Sequence, residues 1–207
     1  MDTEKISETP GLSLRLPVIT LGMVSAAVLV AVVAAYFPGL SNWLVYDRSA
    51  ILSGQIWRLY TGHWVHFSSS HLVYDALTLG MAGWMIETQR LRYFGWFCVF
   101  APWLISSGML LAAPQMQGYG GLSALAVAAV AYLVLGGLHQ AGGWRWICAA
   151  TLLGLVAKIM FEVVTGKMLF VPAADGEPAV AVVGHACGML VGALFYGWEM
   201  RKLNRVA

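Results

Sequence analysis

Residues 118–138 read GYGGLSALAVAAVAYLVLGGL. A glycine-rich turn runs into an apolar stretch, 121–138, that carries no charge and closes on Gly136-Gly137-Leu138. A run of this length and polarity, bounded by turn residues, belongs to a helix surrounded by hydrocarbon or protein. Comparable runs lie at about 18–37, 70–87, 93–113, 144–165 and 179–198. Between them stand Pro38 and Gly39, Pro114 with Gly118, Gly120 and Gly121, Gly142 and Gly143, then Pro172, Gly176 and Pro178. The pattern predicts an all-α membrane protein of six transmembrane helices with a long first loop, residues 38–68, which is amphipathic and bears tryptophan.

Composition agrees. Of 207 residues, 59% are hydrophobic and 11% charged, with a mean hydropathy of +0.73; soluble domains carry about 25% charged residues. A soluble core this apolar would leave large greasy patches facing water, so a soluble enzyme is excluded. Six helices of about 20 residues use roughly 120 positions, leaving no room for a second folded domain, so any chemistry sits among the helices. A net charge of +2 with scattered Lys and Arg gives no nucleic-acid surface. Cys98, Cys148 and Cys187 are odd in number, form no C-x-x-C pair and lie in apolar runs, where they read as small buried hydrophobes. No fixed-period repeat points to a solenoid or a duplicated transporter.

Three regions are expected. Residues 1–17, with Pro10, Gly11 and Pro17, read as a flexible cytoplasmic tail; 18–199 hold the six-helix membrane domain; 200–207 form a basic cytoplasmic tail. The uncharged run 18–37 exceeds a signal-peptide core of about 7–15 residues and predicts a retained first membrane helix. With both termini in the cytoplasm, Lys5, Arg15, Arg90, Arg92, Arg145, Arg201, Lys202 and Arg205 fall on the inner side, against Arg48, Arg58 and Lys167 outside and Lys158 within a helix. The positive-inside rule favours that orientation. The first loop, the loop before Ser123 and the loop before His185 then face outward.

Ionisable groups within membrane helices are functional candidates because burying them in lipid is costly. His71 and Asp75, four apart, share a helical face near the outer end of the second helix. Ser123 opens the fourth helix after the glycine-rich turn, and His185 lies about six residues into the sixth. Taken singly, Ser123 is a helix cap, His185 a bonded interior histidine, and His71 with Asp75 a structural pair. Their common depth favours a shared site. Gly184, Gly188 and Gly192 form a small-residue stripe that lets a neighbouring backbone approach and brings Ser123 toward His185 as nucleophile and base. Backbone N–H groups at the start of the fourth helix, with His71, would supply donors to an oxyanion, and the glycines before Ser123 would let a substrate backbone approach.

At these residues the chain resembles the rhomboid intramembrane serine proteases. Trp57-Arg58, then His66, Phe67-Ser68, His71, position 75 and Glu87 follow the rhomboid first loop and second helix. Gly121-Leu122-Ser123 matches the start of the G-x-S-G nucleophile motif, and His185-x-x-Gly188-x-x-x-Gly192 matches the sixth helix. With Asp75 and a short six-helix layout, the chain is most similar to the rhombosortase branch, whose members are thought to process bacterial proteins ending in a Gly-Gly, membrane-helix and basic-tail signal. The resemblance implies Ser123 as nucleophile, His185 as general base and then acid, and His71 as oxyanion donor with the Ser123 N–H, supported by Asp75 and Gly121. It implies no cofactor or metal, a transmembrane or C-terminally anchored protein substrate, and a place in a bacterial inner membrane with the site opening outward. Residues 166–178 would cap the site, and Trp57, Arg58 and Glu87 would be structural.

Three positions depart from the family pattern. Asp75 replaces the usual Asn; since an ionised carboxylate would repel the oxyanion, it is expected instead to orient His71 or favour its charged form. Ala124 replaces the second motif glycine. Val127 stands where many rhomboids place a tyrosine that packs on the catalytic histidine, so His185 must be held by something else. Two other readings remain: an inactive rhomboid-like membrane-protein binder, and a metal or haem protein ligated through His63, His66, His71 and Asp75.

Overall fold

The turn residues named above set the helix ends. The computed structural model describes residues 16–89, 91–166 and 178–203. Among them six helices of fifteen residues or more stand where the six apolar runs lie: α1 (Val18–Tyr36), α5 (Ser69–Thr88), α6 (Phe94–Ala112), α7 (Ser123–Gly137), α8 (Trp144–Thr165) and α9 (Pro178–Leu203). Three of these, α1, α6 and α8, are long and apolar enough to cross a membrane, and α7 is a shorter apolar helix. The expected tails and cap lie largely outside the described residues. α9 continues beyond residue 199 to Leu203, and Arg201 and Lys202 in its last turn complement the helix dipole there.

Residues 37–68 are compactly folded. Pro38 begins α2 (Pro38–Leu44), followed by β1 (Tyr46–Asp47), α3 (Arg48–Leu52), α4 (Arg58–Thr61) and a 3-10 turn, Gly62–Trp64. Asp47 caps α3 by accepting from the Ala50 N–H at 2.9 Å. Arg58, 7% exposed, donates to the carbonyls of Asn42 at 2.8 Å and Val45 at 2.7 Å, and to Gln55 at 2.7 Å. Trp57 Nε1 donates to the Trp43 carbonyl at 3.3 Å. The family-like Trp57-Arg58 pair thus ties this segment together, a structural use. The cap of α5 is Ser68, whose hydroxyl accepts from the His71 N–H at 3.2 Å.

α7 lies at the centre. Ala124–Ala129 and Ala131–Val134 are all buried, the mark of a helix apolar on every side and enclosed by protein. α1 and α8 are peripheral, with Leu29, Val32, Leu153, Val163 and Val164 among the side chains more than half exposed. Such faces are ill-suited to water and suited to lipid tails.

Small residues fix the helix contacts. A Cβ on Gly188 would run into the Ala124 carbonyl oxygen, and one on Gly192 into that of Ala128, so α9 rests directly on the backbone of α7. Glu199 near the end of α9 accepts from the Tyr132 hydroxyl of α7 and, at 2.8 Å, from the Arg92 N–H. On α5, Gly83 makes room for Thr20 of α1, and Glu87 accepts from the Thr20 N–H at 2.7 Å and its hydroxyl at 2.6 Å. Pro17 offers α1 no side-chain cap; the Glu87 carboxylate takes over that task at the positive end of the helix dipole.

Candidate active site

The loop before α7 is held from two sides. β2 (Gly118–Tyr119) pairs antiparallel with β1, Tyr46 facing Tyr119 and Asp47 facing Gly118. The Gly121 N–H donates to the Gly62 carbonyl at 3.3 Å. Gly121 adopts φ 134°, a conformation that L side chains rarely occupy, and a Cβ there would lie 2.7 Å from His71 Cε1 and 3.3 Å from Asp75 Oδ2. Glycine is required at this position for two reasons: the backbone angle, and the imidazole packed against it.

Ser123 is the first residue of α7, and Leu122 precedes it as a cap residue without a side-chain bond. The serine hydroxyl is therefore not spent as a helix cap. It lies 3.4 Å from the Tyr119 hydroxyl. That hydroxyl donates to the Gly121 carbonyl at 2.9 Å and accepts from the Ala124 N–H at 3.3 Å, which leaves it an acceptor toward Ser123. Complete burial raises the Tyr119 pKa, so the phenol stays protonated and does not serve as the base.

Asp75, 5% exposed, gathers two histidines. Its Oδ2 lies 3.2 Å from His71 Nε2 and 3.2 Å from His66 Nε2. His66 Nε2 also lies 3.3 Å from the Leu122 N–H, so His66 joins Asp75 to the entrance of the Ser123 helix. The Asp75 carboxylate thus stands within ion-pair distance of both imidazoles, one of them a turn earlier on α5. His63 is turned elsewhere: its Nε2 lies 3.2 Å from the Pro102 carbonyl and 3.0 Å from Ser106 Oγ. Among the described residues no set of three or more His, Cys, Asp or Glu is arranged to hold a metal ion, and the three cysteines are free thiols.

His185, 2% exposed, sits on α9 between Gly184, where an added Cβ would lie 3.5 Å from Ala124 Cβ, and Gly188, which abuts the Ala124 backbone. The helix carrying the histidine thus meets the helix opened by the serine at the residue after that serine. Among the described residues, the hydrogen bonds of His185 run from Nδ1 to Glu162 Oε2 at 2.8 Å and Lys158 Nζ at 3.1 Å, while Ser123 Oγ faces Tyr119. Lys158 and Glu162 of α8 were not picked out as site residues from sequence, nor was Tyr119. A Lys and a Glu spaced i, i+4 in an apolar helix were the available signal.

The arrangement contains a serine at a helix start, a buried histidine on the adjoining helix with its Nδ1 bonded, and a His–Asp–His cluster behind the glycine turn. These are parts suited to acyl transfer. A family model described as the Rhomboid domain matches residues 53–202, and the chain belongs to the rhomboid family. It is a membrane protein of an intramembrane protease family, whose members are generally serine proteases acting on membrane-protein substrates within the bilayer. No curated protein matches the chain.

Proposed function

We propose that this chain is an intramembrane serine endopeptidase of the rhombosortase branch. It cleaves a peptide bond in or beside the transmembrane segment of a membrane-anchored protein, one carrying a C-terminal Gly-Gly, apolar helix and basic tail. The observation that carries the reading is the direct seating of α9 on α7 at Ala124, which supports His185 as partner of Ser123.

In the proposed reaction, His185 Nε2 takes the Ser123 proton as Oγ bonds to the scissile carbonyl carbon. The oxyanion is stabilised by the Ser123 N–H and by His71, which Asp75 holds in place. Among the described residues, no acceptor engages that N–H, in keeping with a donor reserved for substrate. His185 then gives its proton to the leaving nitrogen, the C–N bond breaks, and an acyl-enzyme remains on Ser123. Water, losing a proton to His185, adds to the ester carbonyl; the C–Oγ bond breaks as His185 returns that proton to Ser123 Oγ, freeing the new carboxylate. The six long helices all cross a bacterial inner membrane in this reading, with both termini cytoplasmic and the site open to the outer side.

A second reading has specific contacts in its favour. The hydroxyl of Ser123 contacts Tyr119, and the hydrogen bonds of His185 among the described residues go to Lys158 and Glu162, which favours a family member that binds membrane proteins without cutting them. Labelling by a fluorophosphonate probe in membranes separates the two. Labelling of the wild type that vanishes in Ser123→Ala is expected for the protease. No labelling of the wild type, or equal labelling of both, would refute Ser123 as an activated nucleophile.

A further inference from the structure

α8 turns an apolar face outward, with Leu153, Met160, Val163 and Val164 exposed, yet it buries Glu162 completely. A carboxylate removed from water in this way needs partners of opposite charge or strong donors. Both of its oxygens have them. Oε1 lies 2.6 Å from Lys158 Nζ one turn earlier, and Oε2 lies 2.8 Å from Nδ1 of His185 on α9.

Nδ1 has two neighbours that ask for opposite things. Lys158 Nζ, 3.1 Å away, would donate to an unprotonated Nδ1. Glu162 Oε2 would instead accept from a protonated one. The shorter contact, 2.8 Å, falls in the range of charge-assisted hydrogen bonds, and an unprotonated nitrogen there would set two lone pairs against each other. Lys158 already has an acceptor in Oε1. The arrangement that satisfies all three groups puts a proton on Nδ1, donated to Glu162, and leaves the lone pair on Nε2. That is the tautomer a general base must present to a serine. Val127, one turn along α7 from Ser123, has no ring to stack on an imidazole, so the carboxylate takes over the task of holding it.

We propose that Glu162 is the positioning residue of His185, completing a Ser123–His185–Glu162 triad across α7, α9 and α8, with Lys158 as the counter-ion that balances the buried carboxylate. The inference rests on the Ser123–His185 reading. It adds that the base takes its tautomer from α8. Removing the Glu162 charge acts on turnover rather than on substrate binding, because the orienting bond matters most as the imidazolium forms. Replacing such an acid by its amide costs about four decades in the Asp-bearing triads of soluble serine proteases.

The test uses the full chain in lipid nanodiscs. In ¹⁵N-histidine spectra, the His185 resonances are assigned by their absence from His185→Gln. Wild type is expected to carry the ring proton on Nδ1, and Glu162→Gln, whose amide can donate, to move it to Nε2. With a membrane-anchored peptide substrate, Glu162→Gln is expected to lower kcat by about 100-fold or more with KM nearly unchanged, and Glu162→Asp to recover at least about a tenth of the loss. A wild-type ring with its proton on Nε2 overturns the proposal without any mutation, as does a Glu162→Gln protein with the wild-type tautomer and rate. If Ser123→Ala fails to abolish labelling, the nucleophile reading falls by itself, and the tautomer still decides the role of Glu162.

Discussion

Gly188→Ala places a methyl group where α9 touches α7. A Cβ there would overlap the Ala124 carbonyl oxygen and lie 3.0 Å from the Ala124 carbonyl carbon, against about 3.5–4 Å for a relaxed carbon contact. The obstacle is helix backbone on both sides, so the helices must separate by roughly 0.5–1 Å. Overpacking of this kind costs about 1–3 kcal/mol. Because Gly188 lies one turn after His185 and Ala124 directly follows Ser123, the separation falls on the proposed Ser123–His185 pair. A misplacement of about 1 Å costs about 100-fold in rate, or roughly 2.7 kcal/mol of barrier. Fluorophosphonate labelling in nanodiscs, paired with thermal melting, should therefore show a loss of about two decades in rate together with a lower Tm. Gly197→Ala on the same helix, whose Cβ would meet nothing within 4 Å, serves as control and should match wild type. Wild-type labelling and melting of Gly188→Ala would refute the argument that this contact sets the Ser123–His185 spacing.

Three further outcomes are expected. Gly121→Ala, at φ 134° and with a Cβ 2.7 Å from His71 Cε1, should lose stability by about 1–3 kcal/mol along with labelling; a wild-type melt would show that the turn tolerates a side chain. Asp75→Asn keeps an oxygen able to accept where Oδ2 now lies 3.2 Å from both His66 and His71, but removes its charge. Losing a charged hydrogen bond of about 1.5–3 kcal/mol should slow labelling about tenfold or more, and an unchanged rate and pH profile would remove any electrostatic role for Asp75. Burial pushes the His63 imidazole down to about 4 from 6.5. The unfolded chain therefore binds a proton that the fold refuses, and stability falls by about 1.4 kcal/mol per pH unit as pH drops from about 6.5 toward 4. Melting in detergent should show His63→Gln losing less stability than wild type across that window, and parallel curves would contradict it.

Much of the candidate site is legible in the sequence because its signals are local. Ser123 follows a glycine turn and opens a helix; His71 and Asp75 share a face by helical period; Gly184, Gly188 and Gly192 mark where another helix comes close. Each of these depends on neighbours within a turn or two along the chain. The cap of α5 is Ser68 rather than Ser69 or Ser70; three successive serines carry the same capping chemistry, and only backbone geometry chooses among them.

Other features depend on distances between segments far apart in the chain. Tyr119 reaches Ser123 through a turn shaped by the pairing of β1 with β2, strands of two residues too short to leave a periodic pattern. His66 links Asp75 to Leu122 across 56 residues. Lys158 and Glu162 read in sequence as an i, i+4 pair, and nothing local says whether such a pair faces lipid, water or a neighbouring helix. By itself the sequence determined a membrane-embedded helical protein with a serine, two histidines and an aspartate set into apolar runs, because hydrophobicity and helical period are written residue by residue. The tertiary structure alone decided that α8 turns Glu162 onto Nδ1 of His185, because helix rotation and separation are set by packing many side chains at once.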